Sequence, residues 1–151
     1  MKHQLDKEDE KEIKERINDK IKEIEKYIEE LLSIIPKSFE EYEKDFKTKA
    51  ACERYFDKII EAAVDLAFFQ IRKNKLFSPD DDTGAFLLLG EKGIIGKELA
   101  SRLTEAKKMR NFIVHRYKFV DDLIVFNSIN DELRSDIKEF IKSIENTIKK
   151  S

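Results

Sequence analysis

The residues best suited to chemistry near neutral pH lie together in one stretch, Arg110-Asn111-Phe112-Ile113-Val114-His115-Arg116-Tyr117. His115 is one of only two histidines in 151 residues, and the other, His3, sits in a densely charged terminus where no site is expected. An imidazole exchanges protons near pH 7, and a guanidinium holds phosphate oxygens through a planar, permanently charged fork. Together they suit cleavage of a phosphodiester without a metal. For RNA the strand's own 2′-hydroxyl would be the nucleophile, the histidine would move a proton, and the arginine would stabilise charge on the transition state. DNA lacks that hydroxyl and would not be cut this way.

On an ideal helix, at about 100° per residue, Asn111 and His115 lie about 40° apart, and Arg110 and Tyr117 about 20° apart if the helix continues that far. Arg110 and His115 point about 140° apart. One histidine is also fewer than an acid–base pair normally needs. A homodimer that brings two copies of this helix end together would supply two histidines and two arginines to one cleft. The surrounding strip is basic: residues 97–118 hold Lys97, Arg102, Lys107, Lys108, Arg110, Arg116 and Lys118 against Glu98 and Glu105, on a chain whose net charge is −2. A basic strip on an otherwise acidic body suits a phosphate-binding surface, with Arg116, Lys108 and Arg102 as its RNA-contacting candidates; a solvated helix face rich in lysine would read the same way.

The elements that must position these residues are helical. With 40% hydrophobic and 41% charged residues, the length fits one domain over residues 1–151, its first ten residues frayed. Four glycines and two prolines oppose a sheet-rich fold, which needs them at hairpins and corners. An all-α, up-and-down bundle of four to five principal helices is expected. Cys52, alone, forms no internal disulfide and reads as a small buried apolar residue. No run approaches the roughly 18 apolar residues of a membrane span, so a cytoplasmic protein without membrane association is expected.

From Ile13 the apolar residues Ile17, Ile21, Ile24, Ile28 and Ile35 follow at a 3–4 spacing, a first helix that must stop before Pro36. Ser38 and Glu41 then read as a capping box. The next segment runs from about residue 39 to 76, with Phe46, Ala50, Tyr55, Ile59, Ala63, Leu66 and Phe69 among its apolar positions. It is expected to break near residues 47–49 and leave a helix of roughly 28 residues. Residues 78–83 form a loop, whose Asp80, Asp81 and Asp82 lack the spacing of a calcium site and read as caps. A short helix follows over residues 84–91, then one from 97 to about 117, with Leu99, Leu103, Ala106, Phe112 and Ile113 as apolar contacts. Residues 123–126 are β-prone and read as an extended connector, and a last helix covers about 131–149.

Two acids complete the site as read from sequence. Glu61 and Asp65, four apart on the second long helix, present their carboxylates to one side of an apolar stretch and call for a cation, with Arg110 or His115 as candidates. Asp65 is taken as the supporting acid, and Arg54 as a further contributor to an RNA groove. No metal and no cofactor is called for.

The Arg-x4-His-x-Tyr arrangement, filled here as RNFIVHRY, resembles the HEPN superfamily, and more narrowly the HepT-type toxins encoded beside a minimal nucleotidyltransferase (MNT) antitoxin. The flanking segments EAAVDLAFFQI, FLLLGEKGIIGKELASRL and FVDDLIVFNSI are similar to that family too, and the resemblance spans roughly residues 17–144. It implies a metal-independent endoribonuclease toxin acting as a homodimer, with Arg110 and His115 as the catalytic pair and Asn111 orienting the site. Tyr117 matches the tyrosine that the MNT partner modifies with AMP, which would repel and block RNA. The alternative is a non-catalytic nucleotide-binding or docking partner of an MNT protein, or a scaffold in which the dimer face alone matters. The basic residue after His115 departs from the acidic or polar residue also common there.

Overall fold

The structure, a computed structural model, describes residues 7–115 and 121–149. Seven α-helices and one π-helical turn are found among them: α1 (Lys7–Ile34), α2 (Phe39–Lys44), α3 (Phe46–Lys73), α4 (Thr83–Glu91), α5 (Lys97–Val114), α6 (Asp122–Asn127), the turn Ser128–Leu133, and α7 (Arg134–Lys149). The architecture is all-α, with α1, α3, α5 and α7 as its four principal members.

The apolar spacing of the first helix becomes a buried stripe of Ile13, Ile17, Ile21, Ile24 and Leu31, which packs along α3. Helix α1 starts at Lys7 and stops short of Pro36, as the backbone before a proline requires. The Ser38 hydroxyl accepts a bond from the Glu41 amide at 3.2 Å and opens α2. The break in the second segment falls at Asp45, two residues before its expected place. The Asp45 carboxylate accepts from the Thr48 amide at 3.1 Å and from the Thr48 hydroxyl at 2.7 Å and starts α3, while its backbone amide donates to the Glu41 carbonyl and closes α2, so one residue serves both helices. Helix α3 then runs for 28 residues.

Helix α3 is buried on more than one side, because α1, α4 and α5 all pack on it. Cys52, Phe56, Ile59, Ile60, Ala63, Leu66 and Ala67 are enclosed there. Asp81 serves the loop as a cap, accepting from the Gly84 amide at 2.9 Å and the Thr83 hydroxyl at 2.8 Å. Phe86 of α4 meets Phe140 of α7 edge to face at 5.6 Å, closing the core.

Three expectations are corrected. Residues 123–126 are helical rather than extended: Asp121 accepts from the Leu123 and Ile124 amides, and Phe126 packs on Tyr42 at 5.1 Å. Tertiary burial of Val125 and Phe126 overrides the β-propensity of the segment. The last α-helix begins at Arg134 rather than near residue 131, since residues 128–133 turn with i→i+5 bonds. Phe46 and Phe112, read as apolar contacts, are 74% and 51% exposed.

Helices α4 and α5 approach closely at Gly90, where a methyl group would lie 2.7 Å from the Ala100 Cβ. Alanine at a helical glycine gains about 1 kcal/mol of propensity, whereas overpacking a rigid contact costs about 1–3 kcal/mol. Gly90→Ala is therefore expected to lower stability by about 1 kcal/mol in urea unfolding. A more stable variant would mean that α4 shifts off α5 at no cost.

Candidate functional site

The site grows out of the contact between α3 and the last turns of α5. On α3, Asp57 and Glu61 are one turn apart and share a face; on α5, Lys107 and Arg110 do the same at a spacing of three. The two pairs interlock. Arg110 Nε lies 2.6 Å from Asp57 Oδ1 and 3.1 Å from Glu61 Oε1. Lys107 Nζ lies 2.6 Å from Glu61 Oε1 and 3.6 Å from Asp82 Oδ2. Lys107 is 4% exposed and Asp57 7% exposed, so each charge there depends on its partner.

Arg110 makes one further bond, donating from Nη1 to the Asn111 side-chain oxygen at 3.0 Å. Asn111 thus holds the guanidinium from its own helix while Asp57 holds it from across the contact. His115 caps α5: its backbone amide donates to the Asn111 carbonyl at 3.0 Å, and its side chain is exposed. Arg110 and Asn111 are in contact, and His115 follows just past the last turn of the same helix. Arg116 and Tyr117 lie outside the described residues, and α5 is helical through Val114 only.

The other sequence candidates are placed apart. Of the two acids expected near Arg110, Glu61 reaches it, but Asp65 does not: one turn farther along α3 it pairs with Lys20 of α1 at 3.4 Å. Arg102 is committed to α7, with Nε 2.9 Å from Asp136 and Nη2 3.1 Å from Glu139. The hydrogen bond it donates to Asp136 raises its pKa above the ordinary arginine value. Lys108 is exposed and pairs with Glu105 at 3.2 Å. Sequence reasoning missed Asp57 and the burial of Lys107. The signal was available: Asp57, Glu61 and Asp65 form an acidic i, i+4 series, and Lys107 and Arg110 a matching basic pair.

Among the described residues no group of three or more His, Cys, Asp or Glu side chains is placed to hold a metal ion. No described helix is long and apolar enough to cross a membrane. Beside the end of α5 lies a mostly apolar groove of about 460 Å³, lined by Ala106, Met109, Phe112, Ile124, Val125 and Leu133 among others. Phe112 and Ile124 stand more than half exposed at its rim.

The family described as Ribonuclease HepT-like matches residues 24–144, which takes in α3, α5 and the whole RNFIVHRY stretch. The chain belongs to the HepT-like ribonuclease family. A relative of this HepT-like chain from Archaeoglobus fulgidus is 30% identical over 129 residues, covering 83% of this chain and 96% of the relative. The tRNA nuclease HepT of Aphanizomenon flos-aquae is 28% identical over 109 residues, covering 72% and 74% of the two chains. The bundle of this HepT-like chain superimposes on the tri-AMPylated HEPN toxin of Shewanella oneidensis, solved in complex with its MNT antitoxin. The TM-score is 0.80 at 25% identity, with 86% of this chain and 96% of the toxin covered.

The interlocked pairs predict how the site fails. Glu61→Gln keeps the side chain's shape but leaves the enclosed Lys107 facing only Asp82. Removing one partner of a fully buried pair costs about 3–5 kcal/mol. Glu61 is 39% exposed, so a loss of about 1–3 kcal/mol is expected in the urea midpoint. An unchanged midpoint would show that Lys107 does not depend on that carboxylate.

Proposed function

We propose that this chain is a metal-independent endoribonuclease toxin that cleaves RNA by attack of the 2′-hydroxyl, working as a homodimer with a composite site. The observation that carries the reading is the fixed guanidinium of Arg110, held by Asp57 and Asn111 just before the exposed His115, in a chain of a ribonuclease family. In the reaction His115 of one copy accepts the 2′-hydroxyl proton as the oxygen attacks phosphorus. Arg110 binds the non-bridging oxygens, and the bond to the 5′-oxygen breaks. The second copy's histidine protonates the leaving oxygen, giving a 2′,3′-cyclic phosphate and a free 5′-hydroxyl.

A second copy suits the apolar features at the same end of the molecule. Phe112 and Ile124 stand exposed at the groove between α5 and α6, and such patches mark interaction surfaces. Pairing there would bring two helix ends, and so two histidines, to one cleft.

Regulation follows from the neighbour solved as a tri-AMPylated toxin with its MNT antitoxin. In this chain the proposed acceptor is Tyr117, modified by an MNT partner. The Tyr117 oxygen would attack the α-phosphate of ATP, release pyrophosphate and carry AMP. A phosphate fixed two residues from His115 repels the RNA backbone and fills the cleft.

Two experiments test this. Mixed single-stranded RNA incubated with the protein in excess chelator is expected to yield 2′,3′-cyclic phosphate ends, with losses of at least 100-fold for His115→Ala and for Arg110→Ala. The equivalent DNA should stay whole. Absence of cleavage by protein whose mass shows no modification would favour the docking-partner reading. With an MNT protein and ATP, the intact mass should rise by whole AMP units in the wild type, and Tyr117→Phe should lose the first of them. Equal modification of both proteins would move the acceptor elsewhere.

A further inference from the structure

Asp57 bonds two arginines at once. One carboxylate oxygen takes Arg110 Nε at 2.6 Å, and the other takes Arg54 Nη1 at 2.5 Å. The two arginines differ in kind. Arg110 is enclosed and needs a counter-charge; the Arg54 side chain is 68% exposed and could be solvated by water alone. An exposed arginine turned onto a buried carboxylate, beside a second arginine, is an arrangement that stability does not require.

We propose that Asp57 is the positioning residue of this site, holding Arg110 and Arg54 side by side as a paired anchor for neighbouring phosphates of one RNA strand. The inference rests on the ribonuclease reading above and adds to it Arg54 as a substrate-binding residue and Asp57 as the group that aims both cations.

Three observations carry it. First, the nearby acid cannot replace Asp57. Glu61 Oε1 is closer to the buried Lys107, at 2.6 Å, than to Arg110, at 3.1 Å, so its charge answers Lys107 first. Second, donors remain. An arginine has five N–H groups; Asp57 and Asn111 take one each from Arg110, and Asp57 takes one from Arg54, so three N–H groups of Arg110 and four of Arg54 remain to meet phosphate oxygens. Third, both guanidiniums line one open cleft of about 310 Å³ between α1, α3 and α5. The other cations there are already engaged: Lys20 pairs with Glu23 and Asp65, and Lys58 lies over the Tyr27 and Tyr55 rings. The strand that enters this cleft therefore meets two guanidiniums held by one carboxylate, Arg110 of α5 and Arg54 of α3.

The test uses the full chain, single-stranded RNA of mixed sequence and its uncleavable 2′-deoxy counterpart. Asp57→Asn makes the site one charge more positive, so a simple electrostatic screen would tighten RNA binding and leave turnover alone or raise it. A positioning role has the opposite sign: kcat should fall at least tenfold, because an amide oxygen cannot hold both arginines. Arg54→Ala, exposed and harmless to folding, should raise KM about tenfold, with the loss on KM rather than kcat. It should also reduce the slope of log Kd against log salt by about 0.7, the share of one single-strand phosphate contact. Asp57→Asn turning over as fast as wild type, with an unchanged melting temperature, overturns the positioning role. Arg54→Ala with unchanged KM and salt slope overturns the anchor. Should the wild type cut no RNA, the ribonuclease reading fails by itself. An Arg54-dependent salt slope on the 2′-deoxy strand would still support the anchor, and no strand binding at all would overturn it as well.

Discussion

Two carboxylates of α3 meet two cations of α5 in a largely buried contact, and the placing of the last turns of α5 follows from it. A buried charge is tolerated only when its partner sits within hydrogen-bond reach, so Lys107 and Asp57 admit very little sliding or rotation of α5 on α3. Apolar packing alone would leave such freedom, since aliphatic side chains accept many registers at similar cost. The ionic contact converts a helix pair that merely packs into one that has a defined register. Arg110 is part of that contact, which is why its guanidinium has a fixed direction although it lies only one turn from the end of its helix.

The rest of the bundle braces this contact. Helix α1 covers one side of α3 with its isoleucine stripe, and α4 covers another, brought close to α5 by the bare backbone of Gly90. On its far side α5 is tied to α7 through Arg102, which bonds Asp136 and Glu139. An arginine within a basic strip thus acts as a brace between helices. Acids of other elements answer Arg102, Lys107 and Arg110 of the strip, so its sequence charge overstates the cationic surface. Lys107, Lys108, Arg102 and Arg110 all have carboxylate partners.

What was legible in the sequence divides along the same physical lines. The four principal helices were readable because their cores repeat at a helical period, and the family was readable because Arg, Asn, His and Tyr stand at those offsets within the matched residues. The break at Asp45 was readable to within two residues; a cap chosen by one aspartate cannot be told from its neighbours by periodicity. Helix α6 was misread because its helicity is imposed by Phe126 meeting Tyr42 and Phe39, residues some eighty positions earlier in the chain. The acid that supports Arg110 was misplaced by two turns for a related reason. Asp57, Glu61 and Asp65 lie along one line of α3, and only the relative height of α1 and α5 decides that Asp57 faces Arg110 while Asp65 faces Lys20.

The end of α5 is incomplete in two senses that meet in one place. In burial, Phe112 and Ile124 stand at the rim of an apolar groove that no described element covers, whereas Leu99, Ala100, Leu103 and Thr104 earlier on the same helix are buried. In chemistry, an acid and a base are both needed to move protons on and off a phosphodiester, and each chain brings one histidine to this end. A single event, the approach of a second copy about a two-fold axis, would answer both, because a two-fold interface presents the same patch from each side and doubles every group beside it. On the proposed reading the apolar surplus would serve as the adhesive for a site whose charged members are held from behind by α3. That division of labour would account for an ionic contact that faces inward and apolar residues that face out, the reverse of the arrangement expected at the end of an ordinary solvent-exposed helix.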